Sequence, residues 1–383
     1  MGCDRLAAVE VGRPATVEET LLHHSRLIAV RALVAISAAA ALAAGTASCG
    51  GDGAADTTTT VTTMAPSTSA APTTTAAPPT TVAETTTTVP AAPVYPLTGV
   101  EVIDPAVAAR PALVVKIDNA AGARPQSGMN EADIVVEEIV NDSLTRFAFV
   151  FHSQGSDPVG PVRSGRLQDI DLFGSFNRPL FAWSGGNATV TAAIRASDLI
   201  ELGPQQANVY FRSGDRKVPH NLYSTTTDLW SKAPADAQPP QRQFAYRSPT
   251  EPVAGVPSPG ALVTLDSIDV RWDWDAAAGV YFRTMEGKPH DDTQSGQVNT
   301  NNVVVLEMTY LPGISGSPDA QTIGSGRAFV FTGGQYIEGT WSRADRRAPF
   351  TLTDADGSII EMTPGRTFIE LPREGNTLAL PAA

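Results

Sequence analysis

The stretch from Arg110 to Asn187 gathers the residues best suited to chemistry. Lys116 and Asp118 end the run Ala112-Leu-Val-Val-Lys-Ile-Asp118. Arg124 opens Arg124-Pro-Gln-Ser-Gly-Met-Asn130, and Arg163 and Arg166 close Val159-Gly-Pro-Val-Arg-Ser-Gly-Arg166. Ser184, Gly185 and Gly186 form the loop Trp183-Ser-Gly-Gly-Asn187. Guanidinium groups grip carboxylate or phosphate through paired hydrogen bonds. A glycine-rich turn ahead of a helix offers backbone N–H groups to the same anion. The chemistry this pattern favours is capture of an anionic group by Lys116, Arg163, Arg166 and the Ser184-Gly185-Gly186 loop. The competing reading pairs Arg163 and Arg166 internally with Asp118, Asp169 or Asp171, and the two readings stand level.

Other chemistries fit less well. Ser184 at a strand end, with His220 and an Asp, has the makings of a nucleophilic triad, but Gly-x-Ser-x-Gly is missing. A tight turn or backbone cradle accounts for the loop better. Glu137, Glu138 and Asp171 are candidates for paired-carboxylate work. Adjacent Glu137 and Glu138 point to opposite faces of a strand, so they are not themselves the pair. The body contains His152, His220 and His290 but no cysteine. Asp118, Asp133, Glu137 and Asp171 have the oxygen ligands of a Ca²⁺ or Mg²⁺ site, yet solvated or ion-paired acids are the stronger reading. No catalytic residue, metal ligand or cofactor is assigned.

The elements that must position these residues follow from periodicity. Ala112–Asp118 alternates, with Leu113, Val115 and Ile117 on one face and Val114, Lys116 and Asp118 on the other. Ile134–Val140 and Phe147–His152 are further strands. Leu167, Ile170, Phe173 and Phe176 recur at helical spacing, predicting a helix over 166–176. A short strand over Leu180–Trp183 and a helix over 188–196 bracket the glycine loop. Asn208–Phe211 predicts another strand, and Ser224-Thr-Thr-Thr-Asp228 a capped helix start. From Ala261 the pattern turns to short strands, among them Val303–Tyr310 and Thr367–Leu371, with hairpin signals at Gly333-Gly334 and Asp356-Gly357. The expectation is an α+β chain: a mixed α/β N-terminal domain at 94–235, a proline-rich connection at 236–260, and a β-rich, antiparallel C-terminal domain at 261–383.

Residues 1–48 have the form of an export signal, with Arg26 and Arg31 before the small-apolar run Ala32–Ala44. That run is shorter than the ~20 residues of a membrane span. Thr46-Ala-Ser-Cys49 resembles a bacterial lipobox, with Thr46 where Leu is usual. Cys49 is therefore expected to carry lipid. Cys3 falls in the removed segment, so no disulfide is expected in the body. Residues 49–93, rich in Thr, Ala and Pro, lack the apolar side chains that would offset the entropy of ordering; they are expected to be a tether. The net charge of −13 disfavours nucleic acid and anionic membrane as electrostatic partners. Together these features place the body outside the cell, held to the membrane through lipid alone.

Several stretches resemble the YerB-like lipoprotein family. They include Pro111–Asp118, Ala123 to Val136, Val159–Arg166, Ala182–Gly186, Gly287-Lys-Pro-His-Asp-Asp292, Gly324-Ser-Gly-Arg-Ala328 and Pro364-Gly-Arg-Thr-Phe368. The resemblance spans about 97–372. It implies an exported, anchored protein with an N-terminal and a C-terminal domain of unknown function, and it carries over no catalytic residue. A non-enzymatic envelope protein that binds an anionic cell-wall glycan or peptide is the favoured expectation. A cell-wall hydrolase or transferase using Ser184 or paired acids, and a structural envelope protein, are the alternatives. Replacing Cys49 by serine is expected to move the protein from the membrane fraction to the medium. Retention of Cys49→Ser in the membrane fraction would refute the lipid anchor.

Overall fold

The computed structural model describes residues 92–141 and 144–382. Cys49, the signal-like segment and the tether up to residue 91 lie outside the described residues. The strands that build the body are β1 Leu113–Asp118, β2 Ile134–Asn141, β3 Leu144–Phe151, β4 Leu180–Ala182, β5 Ile200–Glu201, β6 Gly260–Leu265, β7 Ile268–Asp275 and β8 Val280–Met285. They continue with β9 Asn302–Leu306, β10 Gly324–Thr332, β11 Gln335–Arg343, β12 Thr351–Asp354, β13 Thr367–Leu371 and β14 Thr377–Ala379. The helices that matter are short: α1 Gln168–Leu172, α2 Ala188–Ala196 and α3 Thr226–Trp230. The body is strand-rich, and its sheets are mixed. No helix among the described residues is long and apolar enough to cross a membrane.

The large sheet runs β12-β11-β10-β9-β13-β2-β3-β1-β4-β5. Strands from both sides of the proline-rich connection therefore share one sheet. β13 lies at the junction, parallel to β2 on one side and to β9 on the other. All five residues of β9 and of β13 are buried. Near-continuous apolar runs such as Asn302-Val-Val-Val-Leu306 suit strands covered on both faces. The expectation of an antiparallel C-terminal half is corrected here. Hairpins β6–β7, β7–β8 and β10–β11 are antiparallel, but β13 takes its partners from distant segments that local periodicity does not signal.

Each face of the large sheet has its own core. On one face Val115, Ile117, Phe147, Phe149, Phe331 and Phe368 pack against Val263, Val270, Trp272 and Tyr281 of a second sheet built on β14-β6-β7-β8. Trp272 and Phe368 meet at 4.8 Å between ring centroids. On the other face Val114, Val136, Val150, Val304 and Ile369 pack against Phe173, Phe176, Phe181, Trp183, Val190 and Ile194. The helix expected over 166–176 is shorter: α1 ends at Leu172, followed by one tight turn, Gly174–Phe176. A Cβ on Gly174 would lie 2.4 Å from the Arg346 carbonyl oxygen, so that turn is pressed against backbone. The strand expected from Val303 stops at Leu306, and Tyr310–Pro312 pairs instead with Pro318–Ala320 in a separate hairpin. Of Asn208–Phe211 only Phe211 is in a strand, in a short pair formed by Phe211–Arg212 and Leu222–Tyr223.

Between the two sheets sits one fully buried guanidinium. Arg283 of β8 pairs with Glu137 of β2 and lies 3.5 Å from Glu370 of β13. The Trp272 indole N–H donates to Glu370 at 3.0 Å. Burial, then the neighbouring Glu137, pushes the Glu370 carboxyl well above the usual range. His290 packs against Arg283 and hydrogen-bonds Gln126 Oε1 at 2.8 Å. Burial, then Arg283, holds the His290 pKa well below its usual value. This imidazole is therefore neutral and relays contacts from Gln126 to the guanidinium. Removing one partner of a buried ion pair strands the others. Arg283→Met is expected to lower the unfolding free energy by about 3–5 kcal/mol, measured by urea denaturation. Glu137→Gln added to that variant is expected to recover part of the loss. A single variant as stable as the parent would show that the network contributes nothing.

Candidate functional site

Strand register lines up a row of charges on the helix-covered face of the large sheet. Asp118 of β1 lies opposite Arg146 of β3, and Arg146 lies opposite Glu138 of β2. Lys116, two residues back from Asp118, shares their face. Its ammonium is fully buried, 2.6 Å from Glu138 Oε1 and 2.8 Å from Asp169 Oδ1. Gln168 donates to the other Glu138 oxygen and accepts from the Ala320 N–H at 2.7 Å. Asp169 in the first turn of α1 also accepts from the Arg166 N–H at 2.6 Å. Burial, then Glu138, pushes the Asp169 carboxyl up to about 6, with Lys116 opposing.

Two further guanidinium groups, Arg166 and Arg163, stand beside Arg146 of this row. Arg146 donates to the Ser164 carbonyl at 2.7 Å. Its pKa is pushed down to about 10 by burial, then by Arg166 and Arg163, with Asp118 and Glu138 opposing. Burial also lowers the Arg166 pKa, against the pull of Glu138 and Asp169. Arg166 donates from Nε to Ser317 Oγ at 3.0 Å. Among the described residues no carboxylate lies within ion-pair distance of Arg146.

Arg146 and Arg166 face a cavity of about 340 Å³, whose walls also include Ser184, Asn187, Ser315 and Asp319. Two segments close it. One is the glycine loop: the Ser184 N–H donates to the Arg163 carbonyl at 3.0 Å, and the Gly165 N–H to the Gly185 carbonyl at 3.1 Å. Gly185 has φ +94°, a conformation side chains rarely adopt. Asn187 caps α2 by accepting from the Val190 N–H at 2.9 Å. The other segment is the turn from Gly313 to Asp319. The Asp319 carboxyl is raised by burial first, with Asp171 and Glu138 adding to the shift.

The structure brings Arg166, Ser184 and Gly186 to this cavity, with Gly185 in the same loop. Arg163 pairs with Asp118 at 3.1 Å, as the competing reading had it, and Asp118 also binds His220 at 2.8 Å. Neither Arg163 nor Asp118 lines the cavity, and two further expected site residues, Lys116 and Arg124, lie elsewhere. Lys116 does not line the cavity, because a fully buried ammonium is held by carboxylates beneath the arginines. Arg124 pairs with Glu286 at 2.6 Å and caps the Asn119 carbonyl. Arg146, Asn187 and Asp319 were not among the expected site residues. Arg146 had a signal, since it interrupts the apolar strand Leu144–Phe151 as Lys116 interrupts β1. Asp319 had none, because it arrives from a distant hairpin.

The other chemistries gain no geometry. His220 binds Asp118, and Ser184 has no hydrogen bond to a histidine among the described residues. Glu137 and Glu138 point to opposite faces, one toward Arg283 and one toward Lys116. His152 and His290 are buried in separate surroundings. Burial, then Arg110, lowers the His152 pKa to about 4. Asp133 accepts from the His152 N–H and from the Ser153 N–H at 2.6 Å. Among the described residues no group of three His, Cys, Asp or Glu side chains is placed to hold a metal ion.

Residues 97–239 match the "Protein of unknown function (DUF3048) N-terminal domain", and residues 262–369 match the corresponding C-terminal domain. The chain belongs to the DUF3048 family. It is 29% identical over 293 residues to "Putative lipoprotein YerB" of Bacillus subtilis (strain 168), covering 72% of this chain and 85% of that protein. The crystal structure of YerB protein from Bacillus subtilis matches with a TM-score of 0.67 at 24% identity, covering 75% of this chain and 99% of that one. The resemblance drawn from the motifs is thus confirmed, and the two proteins share a fold. In DUF3048 terms the cavity draws on both parts, since Arg146, Arg166 and Ser184 come from the N-terminal segment and Ser315 and Asp319 from the C-terminal one.

The Lys116 cluster beneath the cavity has a measurable pH signature. Asp169 keeps its proton in the folded chain up to about pH 6, whereas an unfolded aspartic acid loses it near pH ~3.9. Ionising Asp169 therefore weakens the fold as pH rises between those values. Lys116 limits that cost. Lys116→Met is expected to lose about 3 kcal/mol near neutral pH and to regain part of it on acidification. Urea midpoints across the acidic-to-neutral range check this; a pH-independent loss would count against the assignment.

Proposed function

We propose that this protein is a lipid-anchored envelope protein whose folded body binds an anionic cell-wall ligand in the Arg146–Arg166 cavity. The relative's description as a lipoprotein and the Ala47-Ser-Cys49 sequence support the anchored, extracytoplasmic setting. One observation carries the binding reading. Arg146 and Arg166 are both largely withdrawn from water, Arg166 lowers the affinity of Arg146 for protons, and both face the same cavity. Holding like charges together is unfavourable, and an anion entering the cavity would relieve it. Ser184, Asn187 and the Gly186 backbone complete a polar wall for the rest of the ligand.

The reading assigns binding rather than turnover. Ser184 contributes through its loop backbone, since its hydroxyl has no histidine to take its proton. Galacturonate and inorganic phosphate serve as carboxylate and phosphate probes in calorimetric titrations. A charge-assisted hydrogen bond is worth about 1.5–3 kcal/mol. Arg146→Gln is therefore expected to weaken the preferred probe at least tenfold in a protein of unchanged circular dichroism. Ser184→Ala is expected to change affinity little. A Ser184→Ala loss equal to that of Arg146→Gln would return the serine to the centre of the chemistry.

A further inference from the structure

The cavity does not stand alone on its surface. The Arg163 carbonyl holds the Ser184 N–H, and the Val162 N–H donates to the Leu222 carbonyl at 2.6 Å. Ser184, the 159–163 segment and the Phe211–Tyr223 hairpin are thus successive neighbours. At one strand spacing per step, Ser184 and Leu222 lie about 10 Å apart. The hairpin carries Arg212, Arg216 and Lys217 against one acid, Asp215, which accepts from Ser213 Oγ at 3.1 Å. Arg212 donates to Asn221 Oδ1 at 2.7 Å, and Arg216 donates to the Gly122 and Pro125 carbonyls. Among the described residues none of these three cations has a carboxylate at ion-pair distance. Arg163 shares Asp118 with His220 of the hairpin, which links the hairpin to the 159–163 segment.

On a chain of net charge −13, this concentration of cations needs a cause beyond solubility. A single small anion would be served by Arg146 and Arg166 alone. Cations continuing past the cavity suit a ligand that presents further negative charges along its length. The hairpin also offers an apolar platform: Phe211 is 46% exposed and stacked on Tyr223, with ring centroids 6.1 Å apart. An isolated exposed phenylalanine is ordinary. On this hairpin it can cover the C–H face of a sugar ring while cations of the same hairpin take its acid groups. Strings of phosphate offer no such face.

We infer that the ligand is a linear anionic glycan, with one acidic unit held in the cavity by Arg146 and Arg166 and later units running over Arg163 to Phe211, Arg216 and Lys217. This rests on the anion-capture reading above and extends it from one charged group to a polymer. Capture of the first unit makes binding of the next intramolecular, so the polymer gains over its monomer through effective concentration.

The test uses the full chain with three probes: polygalacturonate, monomeric galacturonate and long-chain inorganic polyphosphate. The wild type is expected to bind polygalacturonate more tightly than the monomer, and with a steeper salt dependence, because more ion contacts form. Arg216→Gln combined with Lys217→Gln is expected to weaken polygalacturonate about tenfold, as two exposed charge contacts would, and to leave the monomer unchanged. Phe211→Ala is expected to weaken polygalacturonate but not polyphosphate. Equal polymer affinity for the double variant and the wild type, with equal salt slopes for polymer and monomer, would overturn the track while leaving the cavity reading intact. Monomer binding untouched by Arg146→Gln would instead overturn the cavity reading itself. Tight polyphosphate binding, with Phe211→Ala silent on polygalacturonate, would overturn the glycan assignment.

Discussion

Two glutamates, Glu137 and Glu138, sit side by side on a strand covered on both faces. Period-two geometry sends their carboxylates into different cores. Each must find a cation there, because an unpaired buried charge is intolerable. Glu137 finds Arg283, carried by the second sheet. Glu138 finds Lys116, carried by the neighbouring part of its own sheet and shared with Asp169 of α1. The two layers that cover the large sheet are therefore each tied to β2 by charge as well as by apolar burial. Hydrophobic contact alone tolerates sliding, whereas these pairs prescribe one position for each layer. That position decides where the arginines stand.

The same arrangement explains how a strongly acidic chain maintains a cationic pocket. Net charge describes the far field, while a partly desolvated site responds to its nearest groups. Glu138 and Asp169 are occupied by Lys116 from below, so they only partly neutralise Arg146 and Arg166 above. Burial lowers both arginine pKa values, and the neighbouring Arg166 and Arg163 lower that of Arg146 further. Asp319 stands on the far wall, its carboxyl raised by burial.

Much of this was legible in the sequence, and the failures have physical causes. Alternation identified β1 and the opposed glutamates, and the glycine loop marked the start of α2. The motifs identified the family. Lys116 was expected at the cavity but is held by carboxylates beneath it, because periodicity shows that a lysine lies on a buried face but not which carboxylate meets it. Asp169 and Glu138 come from segments far apart in sequence, and only the tertiary fold joins them. The parallel setting of β13 was invisible for the same reason. Arg146 carried the same signal as Lys116, a cation inside an apolar strand, and here that signal did mark the cavity.

The position of β13 also bears on the order of events when the chain is made. Its residues, Thr367–Leu371, come near the end of the sequence yet stand between β2 and β9 in the middle of the large sheet. Neither neighbour can complete its ladder until that segment arrives. Contacts of such long sequence separation slow folding, because the loop must close before they repay it. During that interval β2 presents an open edge. Polypeptide that has not yet received β13 stays uncommitted, and the large sheet locks only once that strand is in place.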